Sequence, residues 1–522
     1  MTPSAPHPAR RILNGWLLAL AAIGFGSRIA PLFDPDRRLW QWATEDGYLM
    51  MTIAENIAAG HGMSVAEGSI PTNGTQPLCT FVWALAFLLS PDRYTAVAVV
   101  QVFEILIALA TCFLLYRLVL RWRGNEDGAR ALAGVTAMGW WASPVVVPHS
   151  MNCLESGMYA FAVTLVLFVV GRREASGSEH WSWPKSLQVG LALAFAFYAR
   201  NDAVFLIAAV CSSHWLMGWR RTGVLWGRPL AESVVAGATT VVLALPWLRY
   251  NLTFGHLTPI SGISEAHGAP WGANLHLLPS HLFEYATLYL PIPESLETQS
   301  LVIAATSAAL LGLVIPIWFP SPWRPAIPPE ERVSVLLFGF ALCFYYGTMF
   351  GAPHFVSRYL FPLSPFFALL WARALLGLAD APQAWRRGSF VAVCVLTTVI
   401  ALAAAVRSHQ RGRTNGHRQV VEFIQANVQP DEWVGAIQSG TLGFFHPKTY
   451  NLDGKVNPAA LEAKLVREIP AYVIGKPEIR FLADWIGLLE WYQRFPEIRE
   501  HFEVRAEDPE RNLAALERIA TR

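Results

Sequence analysis

Ser389-Phe390-Val391-Ala392-Val393-Cys394-Val395-Leu396-Thr397-Thr398-Val399-Ile400-Ala401-Leu402-Ala403-Ala404-Ala405-Val406 is an uncharged run set between Arg386-Arg387 and Arg407. Its length is close to the roughly 20 residues that a helix needs to cross a bilayer. Leu301–Phe319 and Ala131–Pro148 are further runs of the same kind. The 522-residue chain as a whole is 53% hydrophobic and only 15% charged. Soluble domains carry about 25% charged residues, so the polar coat that water demands is missing. The chain reads as a polytopic α-helical membrane protein. Lys+Arg at 40 against Asp+Glu at 38 gives net +2, which excludes an electrostatic case for nucleic acid. The six cysteines stand singly, mostly in apolar segments, and read as small core hydrophobes rather than disulfides or metal ligands.

Basic residues orient the spans by the positive-inside rule. Arg10 and Arg11 place the N-terminus in the cytoplasm and make Gly15–Ala30 a signal-anchor helix. Four later gaps carry Arg or Lys: Arg172, Arg173 and Lys185; Arg220, Arg221 and Arg228; Arg324 and Arg332; Arg386 and Arg387. Residues 251–300 contain no Lys or Arg. Alternation then puts residues 34–77, 251–300 and 351–358 on the outer face, with the C-terminal tail beside them. Leu78–Leu120 resists simple alternation. It has a 13-residue apolar piece, a break at Ser90–Thr95 and a full span. Arg117, Arg121, Arg123 and Arg130 permit only an odd number of crossings there, so the first piece is expected to be partial or re-entrant, with about 11 net crossings in all.

The expected division is a transmembrane catalytic domain over 1–406 and a small periplasmic α/β domain over 407–522. In the first outer loop, Leu49, Met50, Ile53 and Ile57 recur at helical spacing, so Asp46–Ala59 is expected to be an interfacial helix closed by Gly60. In the tail, a helix is expected over Arg418–Asn427 and strands over Glu432–Ile437 and Ala471–Ile474. No internal repeat at 20–50 residues is apparent, nor paired halves of the transporter kind.

Glu45-Asp46-Gly47-Tyr48 opens the interfacial helix. Adjacent acids at a helix start commonly serve as N-cap and dipole partner. The loop continues Ala58-Ala59-Gly60-His61-Gly62, then Pro71-Thr72-Asn73-Gly74-Thr75-Gln76-Pro77-Leu78. An acidic pair, A-x-N-x-A-x-G-x-G and P-T-N-G-x-x-P-L in this order resemble the GT-C superfamily of integral-membrane glycosyltransferases. The likeness extends through Glu155 in Asn152–Tyr159, Arg200-Asn201-Asp202, Arg249-Tyr250-Asn251 with Pro259–Gly262, and Arg358–Pro362. It continues into the tail at Gly440–Phe445 and Asn451-Leu452-Asp453-Gly454. The chain departs from the usual pattern in having Glu-Asp for Asp-Asp and Cys79 where an aromatic often follows P-L.

The resemblance implies transfer of a sugar from a polyprenyl-phosphate carrier to an acceptor, with inversion, on the outer face of a bacterial inner membrane. Such a reaction needs a general base for the acceptor hydroxyl, for which Asp46 is the first candidate, with Glu45 as its orienter or substitute. The lipid phosphate needs a cation: Arg358, supported by Tyr359 and His354, is the natural clamp, and Arg200 the second. An ion pair of Arg200 with Asp202 or Glu155 is the competing assignment. Asn73, Gln76, Glu155, Asp202, Tyr250, Asn251 and Ser261 are the expected substrate-binding residues, although helix capping also explains Asn251. No cofactor is required. His256, His267, His276 and His281 have spacings of 11, 9 and 5, which form no compact ligand set. A divalent metal would be called for only by a diphosphate donor. The implied partners are the polyprenyl-phosphate sugar, membrane lipids and a glycan, lipid or protein acceptor.

Two other readings compete with the transferase. A secondary transporter or lipid flippase would place its polar residues near the bilayer midplane in broken helices. A non-catalytic scaffold would leave the acidic pair without a task. Asn73-Gly-Thr and Asn251-Leu-Thr are formal sequons read as incidental.

Overall fold

A computed structural model describes residues 8–90, 92–124, 128–171, 181–266, 268–292, 296, 299–318, 327–352, 357–379, 383–411 and 416–519. In chain order the first half contains α1 (Pro8–Ile29), α2 (Pro35–Trp40), α3 (Glu45–Ala58) and the short hairpin β1 (Ser64–Val65) and β2 (Ile70–Pro71). It continues with α4 (Pro77–Leu89), α5 (Arg93–Arg123), α6 (Ala129–Ala142), α7 (Val146–Ser150), α8 (Ser156–Val170), α9 (Trp183–Ala199), α10 (Val204–Thr222) and α11 (Arg228–Leu252). Then come α12 (Ile260–Glu265), α13 (Leu278–Thr287), α14 (Ser300–Trp318), α15 (Pro329–Phe344), α16 (Ser364–Ala379) and α17 (Ala384–Arg411). Among the described residues, seven helical stretches are long and apolar enough to cross a membrane. The chain is a multi-pass helical membrane protein.

Two spans differ from their sequence outlines. Ala131–Pro148 divides between α6 and α7, because Pro144 has no N–H for the ladder and Ser143 turns its Oγ to accept from Val145 N and Val146 N, both at 3.2 Å. The α4 helix has 13 residues, about 20 Å at 1.5 Å per residue, short of the roughly 30 Å of hydrocarbon. Gln76, before α4, accepts from Asn201 N at 3.3 Å. Arg93, after it, bonds Glu55 at 2.8 Å and the Phe444 carbonyl at 2.5 Å. Both ends of α4 are thus tied to neighbouring elements: its start to the segment after α9, its end to α3 and the tail.

The tail begins after α17, which runs past residue 407 to Arg411. It contains α18 (Arg418–Asn427), β3 (Trp433–Ala436), α19 (Gly440–Phe445), β4 (Thr449–Asn451), α20 (Pro458–Leu465), α21 (Ile469–Ile474), β5 (Ile479–Asp484), α22 (Leu488–Arg494), α23 (Pro496–His501), β6 (Phe502–Asp508) and β7 (Leu513–Arg518). The strands form a five-stranded sheet in the order β4-β3-β5-β7-β6. β3 runs parallel to β4 and β5, whereas β7 runs antiparallel to β5 and β6. Alternation along β5 decides its two faces: Phe481 and Ala483 pack with Ile424 of α18, while Leu482 packs with Val473 and Ile498. The expected strand Ala471–Ile474 is instead helix α21. Pro470 occupies its first turn, where a missing N–H costs nothing, and Gly475 N closes it on the Ala471 carbonyl.

The expected interfacial helix is α3, shifted by one residue, and it is covered rather than exposed. Tyr48, Met51, Ile53 and Ala54 are fully buried. Tyr48 packs against Phe444 of α19 at 4.9 Å between ring centroids. The tail therefore roofs the first loop, and α3 lies between it and α4.

Candidate functional site

The N-cap of α3 is Thr44, whose Oγ1 accepts from Gly47 N at 3.2 Å, so neither acid of the Glu45-Asp46 pair is needed for capping. Successive residues of a helix are rotated by about 100°, and the two side chains diverge. Glu45 turns to the tail. Its carboxylate accepts from Gly440 N, from Thr441 N at 2.8 Å and from Thr441 Oγ1 at 2.5 Å. A Cβ on Gly440 would lie 2.2 Å from the Glu45 carbonyl oxygen, so only glycine permits this approach. Asp46 turns to the interior of the bundle. Gly47 allows α3 to sit against residues 152–155, since a Cβ there would meet the Asn152 carbonyl at 2.4 Å.

Asp46 lies on the wall of a cavity of about 560 Å³, a size suited to a small organic ligand. Gln76, Glu155, Arg200, Asp202, Ser261, Arg358 and Tyr359 line the same cavity. These seven were singled out with Asp46 from widely separated motifs, and each comes from a helix end or a connecting segment. The polar groups gather at one end of the bundle rather than midway along broken helices. One wall is apolar, formed by Phe197, Val204, Phe205, Leu248 and Phe350.

Two ionic groups organise the cavity. Arg358 Nη2 donates to Asp46 Oδ2 at 2.6 Å, while its buried Nε has no hydrogen-bond partner among the described residues. Arg200 donates from Nη1 to Glu155 at 2.5 Å, from Nε to Asp202 at 2.9 Å and from Nη2 to the Tyr346 hydroxyl at 2.8 Å. Tyr346 in turn donates to Asp202 Oδ2 at 2.5 Å. Arg200 thus makes both ion pairs that compete with its phosphate-clamp assignment. Tyr346 belongs to a π-helical turn, Tyr345–Met349, a local widening of the helix that presents the ring to Arg200.

Three expected substrate residues stand behind the wall. Asn73 Nδ2 donates to Asn251 Oδ1 at 3.0 Å, and Asn73 Oδ1 accepts from Ile260 N at 3.2 Å. Asn251 Nδ2 donates to the Leu257 carbonyl at 3.0 Å, and Tyr250 donates to the Thr72 carbonyl at 3.0 Å. Both asparagines are fully buried. Their geometry is that of a strut fixing the first loop to the segment that carries α12. Helix capping, the alternative for Asn251, is not its task. His354 and His267 lie outside the described residues.

Lys455, Glu265 and Tyr346 also line the cavity and were not singled out in the sequence. Lys455 comes from the tail and meets Glu265 at 2.8 Å and Asp453 at 3.8 Å. Burial alone would lower its pKa, but Asp46, Asp453 and Glu265 outweigh it and hold the ammonium above the usual lysine range. The signal available beforehand was its place directly after Asp453-Gly454. Farther into the tail, burial pushes the Asp484 carboxyl up to about 7, although it accepts from Ile437 N and Gln438 N, both at 2.8 Å. Burial likewise lowers the pKa of His417, which lies 3.5 Å from Glu45. Among the described residues no group of three or more His, Cys, Asp or Glu is placed to hold a metal ion.

No family model and no curated protein matches the chain. Solved structures do. ArnT from Cupriavidus metallidurans, bound to undecaprenyl phosphate, superposes with a TM-score of 0.60 at 14% identity, over 97% of this chain and 98% of that one. The Archaeoglobus fulgidus oligosaccharyltransferase tethered to an acceptor peptide gives 0.53 at 10% identity, over 94% and 72%. Archaeal AglB from the same organism, with an inhibitory peptide and a dolichol-phosphate, gives 0.51 at 12% identity, over 92% and 70%. The chain shares its overall fold with these proteins.

Proposed function

We propose that the chain is an inverting glycosyltransferase that moves a sugar from a polyprenyl-phosphate carrier to a glycan, lipid or protein acceptor at the outer face of a bacterial inner membrane. The observation that carries this reading is the Asp46–Arg358 pair, 2.6 Å apart on the wall of a cavity that also has an apolar side. A carboxylate and a guanidinium are the two groups the reaction asks for, and the apolar side suits a lipid. The fold shared with ArnT bound to undecaprenyl phosphate and AglB with a dolichol-phosphate supports a lipid-linked donor.

In the proposed step the acceptor hydroxyl oxygen attacks the anomeric carbon from the side opposite the phosphate. Its proton passes to a carboxylate oxygen of Asp46. The bond from the anomeric carbon to the phosphate oxygen breaks with its electron pair on that oxygen, and polyprenyl phosphate leaves. Arg358 donates to Asp46 at 2.6 Å, so the clamp and the base stand side by side on the cavity wall. A donor phosphate draws the Arg358 guanidinium from Asp46 to itself and leaves the carboxylate to the acceptor hydroxyl. Arg200, engaged by Glu155, Asp202 and Tyr346, forms the polar floor against which the sugar is oriented.

The test uses the full chain in nanodiscs with a panel of polyprenyl-phosphate sugars, envelope extract as acceptor, and release of free polyprenyl phosphate as readout. Wild type is expected to discharge one class of donor, and Asp46→Asn to be slower by about 100-fold or more, the usual worth of a general base. Full release by both Asp46→Asn and Arg358→Ala would overturn the assignment.

A further inference from the structure

Lys455 is the one lysine on the cavity wall among the described residues, and the tail is built to put it there. Asn451 Oδ1 accepts from Gly454 N at 3.0 Å, and Asp453 Oδ1 accepts from Lys455 N at 2.9 Å and from Asn451 Nδ2 at 2.8 Å. Gly454 has φ +79°, a conformation that other residues adopt only with strain. A Cβ on Gly74 would lie 1.9 Å from the Lys455 carbonyl oxygen, so the Asn73-Gly74 turn seats directly against this loop. The ammonium is largely buried, its side chain 18% exposed, with Glu265 of α12 at 2.8 Å. Burying a lysine this far is costly unless a partner compensates it. Lys455 lines the same cavity as Asp46 and Arg358, so the bundle and the tail each bring a cation to the wall that carries the candidate base.

We infer that Lys455 is a second phosphate-holding cation, supplied by the tail, that acts on the leaving lipid phosphate together with Arg358. This rests on the polyprenyl-phosphate reading above and adds a charge requirement to it. A sugar phosphodiester carries one negative charge. When the anomeric bond breaks, the leaving phosphate monoester gains a second. Arg358 answers the charge present at the start, and Lys455 the charge that develops. Cations aimed at developing charge in a site shielded from water lower the barrier rather than merely tighten binding. Glu265, 2.8 Å from the ammonium, holds it in place and yields it to the phosphate.

The experiment measures binding of polyprenyl phosphate, the dianionic product, to the full chain in nanodiscs by tryptophan quenching, and then donor turnover. Wild type should bind it. Lys455→Gln should weaken binding by about tenfold or more, the worth of one charge-assisted hydrogen bond, and lower kcat more than it raises donor KM. Lys455→Arg should recover most of both. Glu265→Gln, which breaks the same ion pair but keeps the ammonium, should bind product at least as well as wild type. Equal losses in Lys455→Gln and Glu265→Gln, with parallel drops in thermal stability, would reduce Lys455 to an interdomain tie and overturn the inference. Wild-type binding unchanged in Lys455→Gln would overturn it too. Absence of product binding by wild type would instead sink the donor reading on which it rests.

Discussion

Replacing Glu45 by Ala removes the acceptor for Gly440 N, Thr441 N and Thr441 Oγ1 in a single step. The carboxylate is 18% exposed, so water replaces these bonds only in part. Hydrogen bonds to a charged group contribute about 1.5–3 kcal/mol each, but three donors on one carboxylate are not additive. A net loss of about 3 kcal/mol is expected, felt at the start of α19 rather than throughout the chain. At 1.4 kcal/mol per factor of ten this raises the opening equilibrium there by roughly 100-fold. Hydrogen exchange by mass spectrometry on the nanodisc-bound chain reads it directly: peptides covering 439–446 should lose most of their protection, and those from α11 and α9 should keep theirs. Glu45→Gln, which leaves one acceptor oxygen, should fall between. A role for Glu45 as orienter of the base would instead lower transfer with exchange unchanged. Wild-type protection at 439–446 in Glu45→Ala would refute the clasp.

Tyr346→Phe removes the hydroxyl shared by Arg200 and Asp202 and should cost about 1–3 kcal/mol, read as a lower thermal midpoint and a raised donor KM, since two buried charged groups each lose a partner. The tail should show a pH dependence set by Asp484. Its folded pKa of about 7 lies above the unfolded carboxylate value near 3.8, so the folded state holds its proton longer. Its contribution is present below about pH 4 and lost as pH rises to about 7, at most roughly 4 kcal/mol. His417, with its lowered pKa, slopes the other way. The comparison is therefore the unfolding midpoint at pH 5 against pH 8 in wild type and Asp484→Asn, with the acid-side advantage expected to vanish in the variant.

The membrane class and the gathering of Asp46, Gln76, Glu155, Arg200, Asp202, Ser261, Arg358 and Tyr359 were legible because apolar runs fix where helices end, and polar residues at those ends share a side. What each polar group touches was not. Asn73 and Asn251 lie 178 positions apart and bond each other, a pairing no local pattern announces. The divergence of Glu45 and Asp46 was in principle readable, since neighbours on a helix do not face one way. Ala471–Ile474 misled as an apolar four-residue run, where Pro470 and Gly475 were the decisive signals. Lys455 was hidden because its role depends on a loop folding back from the tail.

The split at the start of α3 has a practical consequence. One peptide unit joins the residue that grips the tail to the residue that faces the cavity, so any displacement of α19 is delivered to the candidate base with almost no compliance between them. A truncated chain ending near Arg411 would lose a roof, a lysine and the anchor of its own helix at once. Biochemical dissection by domain removal would report on none of these separately; point substitutions at Glu45, Gly440 and Lys455 are the instruments that can.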